Sequence, residues 1–141
     1  HKDNITMSNQ SGTLKGKLIF GIDLGTTNSG ISIWSDKQQK VEIITDKDGY
    51  KLTPSVVGWE RTRQQWVIGR EAVNLSKQYP SDVVYSIKRY IGRAFNDPNI
   101  SQDRPRLAYK LVPVINQDEL SKVAVDFGDN NGSLLQVSAP E

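Results

Sequence analysis

The sequence predicts an α+β fold organised around an antiparallel sheet, and three features carry that reading. Residues from Leu18 onward alternate at the period of a strand. Apolar segments of strand length recur through most of the chain with short polar turns between them. One segment in the middle changes to helical spacing. The chain has 141 residues, the size of one ordinary domain, with 36% hydrophobic and 24% charged residues. That balance is polar for the length and fits a thin domain or one part of a larger unit.

The elements follow in order. Residues 1–17 are polar and aperiodic and read as a disordered arm, or as residues placed ahead of a natural start at Met7. Leu18, Phe20, Ile22 and Leu24 then share one strand face, and Ile19, Gly21, Asp23 and Gly25 the other. GISIW resumes the alternation, with Ile31 and Ile33 on one side. SDKQQ is a turn and VEIIT a third strand, so the start reads as an antiparallel meander. TDKDGYKLTPS is a loop punctuated by Gly49 and Pro54, and SVVGW and QWVIG are short strands around ERTRQ. In REAVNLSKQY the apolar residues Ala72, Leu75 and Tyr79 recur at helical spacing until Pro80. Ser81 or Asp82 is expected to cap a second helical piece, with Val84, Ile87 and Ile91 on one face and Gly92 at its end. NDPNISQDRPR is a turn-rich connection with room for one short helical turn. LAYKLVPVI, KVAVDF and SLLQVSA are strands, and DNNG between the last two is a hairpin signal.

Composition excludes several chemistries. There is no cysteine, and the one histidine is His1, so disulfides, thiolate metal sites and imidazole catalysis are ruled out. Eighteen basic against 16 acidic side chains give a net charge of +2, which makes no case for nucleic-acid binding. Tyr85, Lys88, Arg89, Tyr90 and Arg93 form a basic-aromatic cluster, but against that balance it reads as a solvated face. The apolar runs fall well short of the roughly 20 residues that span a bilayer. The longest, LIFGIDLG, is interrupted by Asp23, and no signal-peptide pattern opens the chain. Asn4, Asn9, Asn74, Asn99 and Asn131 stand in N-x-S/T sequons, which chance supplies often. Asp46 with Asp48, and Asp126 with Asp129, lack the spacing of a calcium loop and read as turn residues.

The segment GIDLGTTNSG carries the most chemistry. Asp23 has Gly21 and Gly25 on its own strand face, and glycine inside a strand marks close approach of a ligand or of another backbone. Thr26, Thr27, Asn28 and Ser29 offer hydroxyl, amide and backbone donors at the bend that follows. A lone carboxylate beside a donor-rich turn suits a phosphate with a hydrated divalent cation. Local physics alone favours a tight turn with a solvated Asp, because such turns are common. Neither the P-loop pattern nor the dinucleotide fingerprint is present.

GIDLGTTNSGISIW resembles the first phosphate-binding hairpin of the seventy-kilodalton heat-shock (DnaK-type) chaperones, members of the actin-like and sugar-kinase-like ATPase superfamily. VEIITDKDGYKLTPSVV is similar to the family's third strand and Thr-Pro-Ser loop. VIGREAVNLSKQYPSDVVYSIKRYIGRAF is similar to the segment that ends in Lys-Arg-x-Ile-Gly-Arg. The likeness is close from Ile19 to Phe95 and collinear to Glu141. Ser86, Ala94 and the tryptophans Trp34, Trp59 and Trp66 depart from the family's usual residues.

The resemblance implies a set of roles. Asp23 holds Mg²⁺ through water. Gly25, Thr26, Thr27 and Asn28 lie under the β- and γ-phosphates of ATP or ADP. Lys88 reaches the γ-phosphate and the attacking water, and Arg89 supports it by pairing within the domain. Without the family, Lys88 is a solvated charge on a helix whose apolar face is Val84, Ile87 and Ile91.

The implied fold is an incomplete ribonuclease-H-like (actin-like ATPase) lobe. Residues 18–60 form its core sheet and residues 61–141 a small α/β subdomain. A second Gly-rich phosphate hairpin, expected from the facing lobe, is missing from the sequence, so the chain is expected to be the N-terminal part of an ATP-dependent chaperone, inactive alone and with apolar sheet surface left bare. The intact protein is then an ATPase of an intracellular compartment, cytoplasmic or other. Its partners are unfolded polypeptides, J-domain co-chaperones and nucleotide exchange factors, with no membrane or nucleic acid. A sugar-kinase-like enzyme shares the hairpin but is not expected to carry IKRYIGR. A non-hydrolysing regulatory relative retains the fold without turnover.

Overall fold

Strand alternation at the start of the chain produces the meander it predicts. A computed structural model describes residues 18–114, 122–128 and 136–138. In it β1 (Phe20–Leu24), β2 (Asn28–Ser35) and β3 (Lys40–Ile44) form an antiparallel sheet in that order. Ile22 lies opposite Ile31, and Ile31 opposite Ile44, which places an apolar row on one face. Asp23 lies opposite Gly30 on the other. The two-residue strand β4 (Thr53–Pro54) pairs with the beginning of β2. Among the described residues, nothing covers either face of β1. Phe20, Ile22 and Leu24 on one side and Ile19 on the other are all more than half exposed, as are Val41 and Ile43 of β3. This is the bare apolar sheet that the sequence leads one to expect.

From β5 (Val56–Glu60) onward the chain builds its own core. β5 is the centre of a second antiparallel sheet, between β6 (Gln65–Ile68) and β7 (Val83–Tyr85). The helix α1 (Arg70–Ser76) lies against β5 and buries Ala72. β8 (Lys110–Val114), β9 (Lys122–Asp126) and β10 (Gln136–Ser138) make a third antiparallel sheet with β9 central. The DNNG expected to join the last two lies outside the described residues, as do the arm 1–17 and the hairpin residue Asp129. The short helix α2 (Pro98–Asp103) supplies Ile100, which is fully buried with Tyr90, Tyr109, Leu111, Val125 and Phe127. Trp59 meets Trp66 edge to face at 5.0 Å, and Trp66 meets Phe127 at 5.2 Å, tying the second sheet to the third.

The expected second helix does not form. Residues 80–82 make one 3₁₀ turn, residues 83–85 are β7, and residues 87–89 make a second 3₁₀ turn entered through Ser86 in the left-handed region (φ 55°). Val83 and Val84 are β-branched and Tyr85 is aromatic, side chains that fit a pleated surface, and β5 has an open edge to receive them. Val84 and Ile91 accordingly share no face, since Val84 is buried and Ile91 is 52% exposed. Asp82 caps nothing with its side chain either. It is buried and takes a two-pronged ion pair from Arg61, with Nε to Oδ2 at 2.5 Å and Nη2 to Oδ1 at 2.7 Å. Arg61 also donates to the carbonyls of Phe127 and Gly128, so one guanidinium joins the β5–β6 turn, the 3₁₀ turn and the end of β9.

Candidate functional site

The hairpin between β1 and β2 turns through residues 25–27, and its sequence fixes its shape. A Cβ on Gly25 would sit 2.1 Å from the carbonyl oxygen of Asn28, so only glycine allows the turn to close. A Cβ on Gly21 would meet Ser32 Oγ at 2.8 Å. Gly25 therefore answers first to the hairpin's own close approach, whereas the Gly21 contact is with a side-chain hydroxyl that can rotate away. Both glycines also leave Asp23 flanked by residues without side chains, because Gly30 lies directly opposite it. A shallow groove of about 410 Å³ runs along this face, between Asp23, Ser32, Ile43 and Leu52.

The Thr-Pro-Ser loop holds the hairpin from below. Ser55 donates its hydroxyl to the Gly25 carbonyl at 2.8 Å and its backbone N–H to the Thr27 carbonyl at 2.8 Å. Its Oγ also lies 2.8 Å from Ser29 Oγ. Local spacing does not mark Ser55 as this contact, because its partners Ser29 and Gly25 lie 26 and 30 residues away. Carbonyls on the underside of the bend are thus occupied, whereas Thr26 and Thr27 are exposed and their backbone N–H groups donate to none of the described residues.

Lys88 comes to this hairpin from a distant part of the sequence. Its ammonium donates to the carbonyl of Leu24, 64 residues earlier and next to both Asp23 and Gly25. The structure thus brings together Asp23, the Gly25–Asn28 bend and Lys88. Arg89 turns elsewhere. Its Nη2 pairs with Asp103 Oδ2 at 3.0 Å, away from the hairpin. Tyr90 is 2% exposed and donates its hydroxyl to the same oxygen at 3.0 Å. Burial and that carboxylate together raise the Tyr90 hydroxyl pKa. Arg93 pairs with Asp97 at 2.9 Å and donates its Nε to the Arg89 carbonyl at 2.8 Å. The basic-aromatic cluster is therefore largely spent inside the domain. Asp97 is the N-cap of α2, accepting from the Asn99 N–H at 2.8 Å. That bond, then Arg93, holds its carboxyl below the usual carboxylate range. The Asp97-Pro98 pair is a readable helix-start signal, yet its bond to Arg93 is not legible from spacing alone.

Other acidic candidates resolve as turns. Asp46 Oδ1 accepts from the N–H groups of Asp48 and Tyr50, both at 2.9 Å. Asp126 accepts from the Gly128 N–H and pairs with Lys110 at 3.1 Å. Among the described residues no group of three or more His, Cys, Asp or Glu side chains could enclose a metal ion. Asp23 is a single exposed carboxylate, a donor set suited to Mg²⁺ that keeps most of its water.

Comparison with known proteins decides the family. The family model described as Hsp70 protein matches residues 19–140. The chain belongs to the Hsp70 family. A heat shock protein 70 homolog of Acanthamoeba polyphaga mimivirus is 36% identical over 128 residues, covering 90% of this chain and 13% of that protein. The chain thus spans a small part of the length of the Hsp70 relative it matches. The α+β architecture, with its antiparallel start and small helices, is the one expected of an Hsp70 N-terminal segment. Among the described residues, no helix is long and apolar enough to cross a membrane.

Proposed function

We propose that this Hsp70 segment is one half of a nucleotide-phosphate site in an ATP-dependent chaperone. The observation that carries the reading is the bond from Lys88 to the Leu24 carbonyl, which gathers a cation, a carboxylate and a donor-rich bend at one place. Thr26 and Thr27 present their N–H groups to the terminal phosphates, with Gly25 and Asn28 shaping the bend. Asp23 holds the water shell of Mg²⁺, and that ion neutralises charge on the phosphates when bound. Lys88 exchanges the Leu24 carbonyl for the γ-phosphate and the attacking water, where a fixed cation favours the charge of the transferring group. Arg89 contributes through Asp103 rather than by touching nucleotide.

The bare faces of the first sheet and the 13% coverage of the mimiviral relative support the view that the other half of the site belongs to a larger protein. In that protein the ATPase cycle controls the grip on unfolded polypeptides, with J-domain proteins and nucleotide exchange factors as partners, in a cytoplasmic or other intracellular compartment. Residues 18–55 belong to the core of the lobe and the chain from β5 onward to its small subdomain, a boundary a few residues before the one at residue 60 that the sequence suggests, because β5 pairs with β6 and β7. Calorimetry of Mg-ATP with the 141-residue chain and with the intact protein tests the reading. The intact protein is expected to bind and the chain alone to bind far more weakly. Micromolar affinity in the chain alone contradicts a shared site.

A further inference from the structure

We propose that Asp103 is a positioning residue for Lys88, and that α2 acts as a bracket holding the Lys88 turn in register with the hairpin; this rests on the reading of Lys88 given above. The turn that carries Lys88 is short. It enters through Ser86 in the left-handed region and leaves through Gly92 at φ 75°, so its own hydrogen bonds cannot fix where the lysine points. External contacts supply the direction. Asp103 Oδ2 takes both residues that follow Lys88, Arg89 through Nη2 and Tyr90 through its hydroxyl, each at 3.0 Å. The other end of α2 grips the same turn, because Asp97 holds Arg93 and Arg93 holds the Arg89 carbonyl. The bracket is itself anchored, since Ile100 between the two acids is fully buried.

A carboxylate suits this task better than a neutral acceptor. Two donors converge on one oxygen and one of them is a cation, so a charged acceptor is favoured over an amide. The Asp103 side chain is only 18% exposed, which limits competition from water. With Asp103 lost, the Lys88 turn keeps the buried Tyr90 ring and the Arg93 contact but loses the acceptor that fixes its Arg89 side, so the lysine can shift about those remaining anchors. Misplacement of a reacting group by about an ångström costs on the order of a hundredfold in rate, and a shift that still samples the correct position costs less.

The test uses the intact protein containing this chain and reads single-turnover ATP hydrolysis, Mg-ATP affinity and melting temperature for Asp103→Ala, Asp103→Asn, Tyr90→Phe and Lys88→Ala. Asp103→Ala is expected to slow the chemical step about tenfold while Mg-ATP affinity changes less than threefold. Asp103→Asn, which retains an acceptor, is expected to recover part of that loss, and Tyr90→Phe, which removes one of the two donors, to show a smaller one. If Asp103→Ala does not fold, Asp103→Asn and Tyr90→Phe carry the test, with a slowed step at unchanged affinity as support. A chemical step within twofold of the parent in these variants, while Lys88→Ala is slow, overturns the inference alone. So does a fall in rate matched by equal falls in affinity and melting temperature, which marks general loosening. A normal rate in Lys88→Ala overturns the reading of Lys88 itself.

Discussion

Gly25→Ala places one methyl group where the hairpin has no room. The added Cβ lies 2.1 Å from the Asn28 oxygen and 3.3 Å from its carbonyl carbon. Relief needs most of an ångström of movement between backbone segments, not a side-chain rotation. Such a shift strains the Asn28–Pro54 pairing and the two bonds that Ser55 makes to the Gly25 and Thr27 carbonyls. Overpacking costs about 1–3 kcal/mol, and each part-buried hydrogen bond weakened adds up to about 1 kcal/mol. Alanine returns about 0.5 kcal/mol by restricting the unfolded chain. The net expectation is about 2–3 kcal/mol, a rise of roughly 30- to 150-fold in the population of the opened hairpin. Native-state hydrogen exchange of the Ser55 amide, which donates to Thr27, reads that population directly. Gly49→Ala is the control, because nothing lies within 4 Å of its added Cβ and only its positive φ is strained. If the Ser55 amide of Gly25→Ala exchanges within twofold of the parent, the close-approach argument is refuted.

Three further outcomes follow from the contacts. Asp82→Ala removes the two-pronged carboxylate partner of Arg61 and is expected to cost about 3 kcal/mol in urea unfolding; an effect below about 0.5 kcal/mol contradicts the role of the pair. Tyr109 donates its buried hydroxyl to the Tyr85 carbonyl at 2.7 Å, and burial raises its pKa. The folded state then keeps that proton where the unfolded state loses it, so stability is present below about pH 10 and falls as pH rises beyond it. Tyr109→Phe should flatten that alkaline slope, and an unchanged slope counts against the assignment. Asp97 has a lowered pKa in the fold, so its contribution is present above the usual carboxylate range and is lost as pH falls through its folded value. Asp97→Asn should weaken the acid dependence of unfolding, and an identical acid limb in both proteins argues against it.

Much of the first sheet was legible because Leu18 to Gly25 and Gly30 to Trp34 alternate at strand period and the polar turn SDKQQ separates them from VEIIT. The same regularity misled at Val84, Ile87 and Ile91. Their spacing matches a helix face, but two adjacent β-branched residues met the open edge of β5, and pairing outweighed local periodicity. Asp82 was misread for a related reason. Its position before an apolar run resembles a cap, whereas its partner, Arg61, lies 21 residues away. Glycines and a donor-rich turn marked Asp23 to Asn28 as a candidate, and the family resemblance turned it from a plain tight turn into a proposed phosphate hairpin. Lys88 was not readable from local chemistry, since its bond to Leu24 crosses 64 residues and only family resemblance bridged that distance. Ser55 and Asp103 escaped for the same reason: each acts through contacts that no short window contains.

Single-turnover hydrolysis of Mg-ATP by the intact protein with Lys88→Ala, measured beside nucleotide affinity, tests the central claim most directly. Lys88 poised at the Leu24 carbonyl predicts a chemical step slowed by about a hundredfold or more, with affinity changed by less than about tenfold. Hydrolysis at the parent rate would contradict it.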